Sequence, residues 1–222
     1  MNRIPGFVSV IARPRQVFYG WWLAIISALV LLTTIVPLFN AMSVWAVALE
    51  NRFGWNRTQL GLALALTRVE GGLLGPLEGY LSDRLGTRLM VFVGLLIFCA
   101  GFLLFSQVQS LWMFYVAYIV IALGQGLGGW VPVMTLLNHW FTRHRGTAMG
   151  MAMMGMGAGS VVLVPAIAWA VDPDHGRLGW RLTAVIVAGV ALAAAFTFPR
   201  LIRNRPQDYG LRPDGDLPDT TP

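Results

Sequence analysis

The groups able to do chemistry in this chain stand close together in one apolar stretch. Between Thr58 and Leu81 three charges, Arg68, Glu70 and Glu78, interrupt a run of leucines, alanines and glycines. A guanidinium grips anions with a planar fork of donors, and a carboxylate in apolar surroundings can take up or release a proton. The trio therefore suggests an anion-binding group, Arg68, with Glu70 or Glu78 as proton acceptor. The plainer alternative is structural ion pairing between neighbouring segments, with Arg68 reaching outward to water. At about 100° per residue, Arg68 shares a helical face with Gly72, Gly75, Gly79 and Asp83. Glu70 lies about 200° round from Arg68, so it should look for Gln125, Asn40 or water instead.

Little else in the sequence has a chemical pattern. The lone Cys99 sits in an apolar run, and His139, His144 and His175 lie at the ends of apolar blocks without ligand spacing. No metal site or cofactor is expected. A nucleophile–base arrangement and a phosphate-binding loop are also lacking, so neither catalysis nor nucleotide drive has residues to carry it. The methionines Met149, Met151, Met153, Met154 and Met156 read as adaptable packing.

The elements that hold these residues are long apolar blocks. Of 222 residues, 56% are hydrophobic and 12% charged, where soluble domains carry about 25% charged residues. A soluble enzyme is excluded. The net charge of +6 comes entirely from arginine, spaced between apolar blocks rather than gathered in a stripe, so nucleic acid is not an expected partner. Six blocks are long enough to cross about 30 Å of hydrocarbon: Trp21 to Leu49, Thr58 to Leu81, Leu89 to Val108, Leu111 to Leu137, Thr147 to Val171, and Trp180 to Pro199. The first is too long for a signal-peptide core and reads as a retained helix. An all-α membrane protein follows, because backbone in lipid must satisfy its own hydrogen bonds.

Arginine placement gives the orientation. Arg3, Arg13, Arg15, Arg84, Arg88, Arg143, Arg145, Arg200, Arg203, Arg205 and Arg212 fall on one side; Arg52, Arg57, Arg177 and Arg181 fall on the other. The first side is expected to be cytoplasmic, with both termini there. Tryptophans 21, 22, 55, 112, 140 and 180 at the block ends read as interfacial anchors. Three parts are expected: a cytoplasmic N-terminal segment (1–20), a six-helix bundle (21–200), and a polar, Pro/Gly/Asp-rich tail (201–222) that reads as a flexible linker. The first and second trios of helices start about 90 residues apart, which permits a 3+3 inverted repeat.

Between the second and third blocks the chain reads G-Y-L-S-D-R-L-G-T-R, Gly79 to Arg88. This resembles the helix 2–3 loop signature of the major facilitator superfamily, with Gly79, Leu81, Asp83, Arg84, Gly86 and Arg88 matching. The resemblance implies the N-terminal half of that fold. It makes Gly79, Asp83, Arg84, Gly86 and Arg88 a cytoplasmic gate that clamps two six-helix halves together. Gly79 allows close backbone approach, and Asp83 can meet a helix N-terminus or Arg84 and Arg88. F-G-W-N-R (Phe53 to Arg57), W-F-T-R-H-R-G (Trp140 to Gly146), L-G-W-R (Leu178 to Arg181) and the tail Arg205 to Asp216 look similar to the monocarboxylate-transporter-like and oxalate/formate-antiporter-like branch.

Because helices 1 and 4 line the central cavity in this superfamily, Asn40, Tyr118 and Gln125 join Arg68 as expected substrate-binding residues. Pro37 is expected to free backbone carbonyls for a ligand or water. The glycines Gly124, Gly126, Gly128 and Gly129 read mainly as close packing. Two departures stand out. The arginine of the superfamily's helix 4 signature is Ala122 here, and Met42 stands where part of the monocarboxylate branch has a lysine. The expected activity is secondary transport of a small solute, such as an organic anion, with lipid around the bundle. A second six-helix half should complete it, since the chain stops within what resembles the superfamily's central loop. The competing expectation is a non-transporting six-helix scaffold, sensor or assembly subunit.

Overall fold

The computed structural model describes residues 18–172, 178–209 and 211–215. Arg3, Arg13, Arg15, Asp174, His175, Arg177 and Asp216, and with them nearly all of the N-terminal segment, lie outside the described residues. Among the described residues, six helical spans are long and apolar enough to cross a membrane, as the apolar blocks predict. Span 1 joins α1 (Tyr19–Ile35) through a π-helical turn (Val36–Asn40) to α2 (Met42–Phe53). Span 2 is α3 (Arg57–Leu85) and span 3 is α4 (Thr87–Ser106). Span 4 joins α5 (Leu111–Gln125) through a second π-helical turn (Gly126–Trp130) to α6 (Val131–Trp140). Spans 5 and 6 are α7 (Arg145–Val171) and α8 (Gly179–Leu201).

Local chemistry explains the junctions. Gly54 ends α2 at φ 69°, a left-handed turn that favours glycine. Two residues on, Asn56 and Gln59 form a capping box that starts α3: the Asn56 side chain accepts from the Gln59 N–H at 2.8 Å, and the Gln59 side chain accepts from the Asn56 N–H at 3.1 Å. Gly86, in the gate motif, turns α3 into α4 at φ 84°.

The two trios of helices share their irregularities. The π turns interrupt spans 1 and 4 about 90 residues apart, and the internal prolines Pro76 and Pro165 fall in spans 2 and 5 at nearly the same separation. Interruptions at corresponding positions are the mark of a repeat whose broken helices surround a site.

Packing within the bundle relies on small residues. Gly94 of α4 lies against the backbone of Gly128, Gly124 lies against the backbone at Phe98, and Gly101 lies against Ile121. In lipid, such contacts supply the van der Waals energy that the hydrophobic effect supplies in water. One end of the bundle is filled by Trp45, Phe98, Phe102, Phe105, Phe114 and Tyr118, and the arginine-rich end by Leu23, Leu31, Leu95, Leu137, Trp140 and Phe141. Trp140 is fully buried and its indole N–H donates to the Arg203 carbonyl at 2.9 Å. It therefore belongs to the core, not to the interfacial anchors, whereas Trp22 and Trp112 are exposed as anchors should be.

The tail also departs from the reading as a flexible linker. Ile202 and Pro206 are buried, and the Arg203 guanidinium lies 4.2 Å from the Tyr19 ring centroid and 4.5 Å from that of Tyr209. Asn204 Oδ1 accepts from the Arg88 N–H (2.9 Å) and the Thr87 hydroxyl (3.1 Å), fixing the 2–3 loop. Asp214, at φ 59°, accepts from the backbone N–H groups of Thr142, Arg143 and His144 at 2.9, 2.6 and 3.2 Å, fixing the loop that leads into α7. Polar composition hides this docking, because hydrogen bonds and ring faces hold the tail alongside the few apolar residues it buries.

Asp214→Ala should weaken this docking by about 1–3 kcal/mol, the scale of losing hydrogen bonds to a charged carboxylate. Amide exchange at Thr142, Arg143 and His144 should rise while exchange in the spans does not. Burial pushes the Asp214 carboxyl up, but the three backbone donors and the His144 side chain outweigh it and hold the group below the usual aspartate range. A depressed folded value stabilises the docked tail above the unfolded pKa of about 3.9. Protection should therefore be full at neutral pH and fade as pH falls below about 4. A tail equally protected in Asp214→Ala would refute the clamp.

Candidate functional site

A cavity of about 470 Å³ lies between spans 1, 2 and 4. The three charges of α3 all line it: Arg68, Glu70 and Glu78 come from the face that also carries Thr67, Gly71 and Gly75. The sequence reading sent Glu70 to a different face from Arg68. The structure brings the two to one cavity, Arg68 among the exposed residues of α3 and Glu70 half-buried. Arg68 makes no ion pair with either carboxylate, nor any hydrogen bond, among the described residues. The Oε1 atoms of Glu70 and Glu78 are likewise buried without a hydrogen-bond partner among the described residues. The structural ion pairing weighed above is thus not formed among the described residues.

Spans 1 and 4 complete the wall at their π turns. Ile35 and Phe39 come from span 1; Ala122, Gln125, Gly126, Trp130 and Val131 come from span 4. Gln125 thus lines the cavity, where its amide offers both a donor and an acceptor. Ala122, at the helix 4 arginine position of the resemblance, is a wall residue with almost no exposed surface. That leaves Arg68 as the cavity's one lining cation among the described residues. Gly126 has a role that sequence reasoning missed. A Cβ there would collide with the Glu78 carboxylate, so the missing side chain is what lets Glu78 lie buried against span 4. Gly129 makes room for Thr34 in the same way, while Gly124 and Gly128 pack on backbone as expected.

Tyr118 and Asn40 lie outside the cavity lining. Tyr118 is buried, and its hydroxyl donates to the Leu38 carbonyl at 2.8 Å and contacts Met42 Sδ at 2.7 Å. Trp45 donates to the Pro37 carbonyl at 2.9 Å. The Pro37 and Leu38 carbonyls of the π turn are therefore taken by core side chains. Asn40 ends the π turn as an exposed residue.

The gate motif occupies the arginine-rich end. Asp83, Arg84 and Arg88 are exposed, and Arg84 turns back to the Tyr80 hydroxyl at 2.7 Å. Asp83 pairs with neither Arg84 nor Arg88, and its carboxylate has no partner among the described residues. It borders a polar hollow of about 240 Å³ shared with His139, Asn204, Arg205 and Asp208. Gly79 has nothing within 4 Å of its Cβ position, and the same holds at Gly71, Gly72 and Gly75. The α3 and α7 spans are the least covered: 17% and 11% of their most apolar windows are buried, against 44–61% in the other four.

Comparison with known proteins bears on the family of the fold. The sequence model of the Major Facilitator Superfamily matches residues 21–218. The chain is similar to a glycerol-3-phosphate transporter of Bacillus subtilis, 27% identical over 165 residues that make up 72% of this chain and 36% of the relative. It is also similar to the multidrug resistance protein MdtH of Yersinia pestis, 28% identical over 160 residues, 70% of this chain and 39% of the relative. The matched stretch thus spans well under half the length of these relatives.

The Gly126–Glu78 contact can be tested directly. Gly126→Ala should destabilise the detergent-solubilised bundle by about 1–3 kcal/mol through overpacking. Most of that loss should disappear when Glu78→Ala is added, a coupling that a thermal-unfolding double-mutant cycle reads. Additive effects would show that Glu78 does not rest on Gly126.

Proposed function

Since the chain belongs to the Major Facilitator Superfamily, we propose that it forms the N-terminal six-helix half of a secondary transporter for a small organic anion. The solute binds in the cavity between spans 1, 2 and 4, with Arg68 as its electrostatic anchor and Gln125 as a polar neighbour. The observation that carries this reading is an arginine in a membrane-spanning bundle with no acidic partner among the described residues. Mid-membrane charge costs roughly 2.5–3.5 kcal/mol on insertion scales, and an anionic solute offsets that cost only while it is bound. Asn40 and Tyr118 act less directly, Asn40 from the edge of the π turn and Tyr118 by holding the Leu38 carbonyl.

Glu70 and Glu78 supply proton coupling. Two carboxylates line one cavity beside the solute's anchor, so their protonation changes the cavity's charge in step with binding. Glu78 lies two turns nearer the gate than Glu70, which suits it to pass a proton towards the arginine-rich side. That side is cytoplasmic, as the arginine bias requires, in what we take to be the inner membrane of a bacterium.

The uncovered glycine face of α3, together with α7, takes a second six-helix bundle. Gly79 admits its backbone, and Asp83, lacking a partner among the described residues, meets the positive end of one of its helices. Arg84, Gly86 and Arg88 complete the clamp. The four shorter resemblances support placing the protein near the monocarboxylate-transporter-like and oxalate/formate-antiporter-like branch, and the glycerol-3-phosphate transporter among its relatives is named for an organic anion.

Proteoliposomes bearing the chain with its second bundle test the proposal against lactate, oxalate, glycerol 3-phosphate and a cationic dye, with and without a pH gradient. At equal reconstituted amounts, Arg68→Ala should lower anion uptake at least about tenfold, the scale of losing a hydrogen bond between charged groups. Glu78→Gln should retain binding but lose the dependence on the gradient. Transport of the dye alone, or anion uptake indifferent to Arg68→Ala, would overturn the assignment.

A further inference from the structure

A second cavity, of about 380 Å³, opens where α4 and α8 run side by side at the arginine-rich end. It is separate from the central cavity and shares no residue with it. Its mouth carries Arg88, in the first turn of α4, and Arg200, in the last turn of α8. Both are exposed, and neither side chain has a hydrogen bond or acidic partner among the described residues. Asn204 stands between the arginines and the 2–3 loop; its Oδ1 is engaged by Thr87 and Arg88, while its amide N–H₂ has no partner among the described residues. The first turn of α4 contains no acidic residue, so the positive end of that helix adds to the two guanidinium groups.

Below this polar mouth the walls turn apolar. Leu85, Leu89, Phe92, Phe196 and Pro199 line the groove, and Phe92 and Phe196 meet edge to face with centroids 5.7 Å apart. Leu89 and Phe196 are about half exposed. In a helix pair that faces hydrocarbon, such residues are covered by acyl chains. The groove thus pairs an anion-binding rim at the depth of the headgroups with an apolar slot at the depth of the chains. A soluble anion would use the rim only; a zwitterionic lipid would bring its own cation against two arginines.

We propose that this groove is a binding site for one anionic phospholipid, with its phosphate held by Arg88, Arg200 and the Asn204 amide and an acyl chain laid along Leu89, Phe92 and Phe196. Basic pockets between helices at the membrane surface recognise anionic headgroups through this combination of charge and depth. The site requires only that the bundle spans a membrane and is independent of which solute the central cavity takes. Because Arg88 and Asn204 also belong to the gate and tail contacts, a bound lipid holds α4, α8 and the tail together at one point.

Native mass spectrometry of the detergent-purified chain tests this, by titration with phosphatidylglycerol and with phosphatidylcholine of the same acyl chains. The first phosphatidylglycerol should be retained preferentially, and Arg200→Gln should reduce that preference by about five-fold, the scale expected for one basic residue at an anionic surface. Arg200→Lys should keep part of it. Arg52→Gln, which removes an exposed charge at the opposite end, should leave it unchanged. Equal retention of both lipids, an effect of Arg52→Gln as large as that of Arg200→Gln, or displacement of phosphatidylglycerol by millimolar inorganic phosphate would each overturn the proposal. Phe196→Ala, which shortens the slot and spares the rim, should weaken phosphatidylglycerol retention in proportion to chain length. Retention independent of chain length would likewise exclude the slot.

Discussion

The structure depends on one constraint: α3 carries three ionisable side chains at depths where lipid cannot solvate them. Its other features follow from where those charges are turned. Arg68, Glu70 and Glu78 are gathered on one cavity instead of facing acyl chains, and spans 1 and 4 open their backbones at that level to make the space. Gly126 yields its side-chain volume to Glu78, while Ala122 leaves the far wall without a competing cation. The price of this arrangement is visible in the carboxylate oxygens left without partners among the described residues. A bundle with those needs has to be completed by water, a solute, or another protein surface.

Much of this was legible in the sequence. Length and apolarity fix the six spans to within a few residues, because hydrocarbon thickness admits little else. The loop Gly79 to Arg88 identifies the family, since a particular order of acid and base in a short turn has no general structural reason to recur. The finer site was less legible. Helical-wheel reasoning put Glu70 and Arg68 on separate faces, but long side chains reach round a helix, and a wide cavity collects residues across a broad arc. Tyr118, polar and central in span 4, read as a ligand-binding group. It is spent on the Leu38 carbonyl because the π turn next to Pro37 presents that acceptor, and π turns leave no reliable signature in residue type.

The arginine-rich end was misread for a related reason. Composition marks the chain after Arg203 as solvated linker, yet Asn204 and Asp214 lodge their side-chain oxygens on the amides of two separate loops, and Arg203 lies between two tyrosine rings. Trp140, which looked like an anchor, became a core residue when the tail covered it. Polar segments that dock by capping backbone groups resemble disordered ones in every bulk measure of sequence. What distinguishes them is the geometry of the amides they meet, and that exists only after the helices are assembled.

The paired π turns in spans 1 and 4 carry a mechanical consequence. A π turn holds one residue more than an α-helix needs, so the helix beyond it is turned by about 100° relative to an unbroken one. Spans 1 and 4 therefore each contain a stored twist at the level of the cavity, balanced across the repeat. Moving that surplus by one residue along either span rotates the side chains it passes without breaking the helix or stranding a backbone group in lipid. The two spans can thus act like a pair of screw threads, changing which side chains face the cavity while their ends stay fixed in the membrane surfaces.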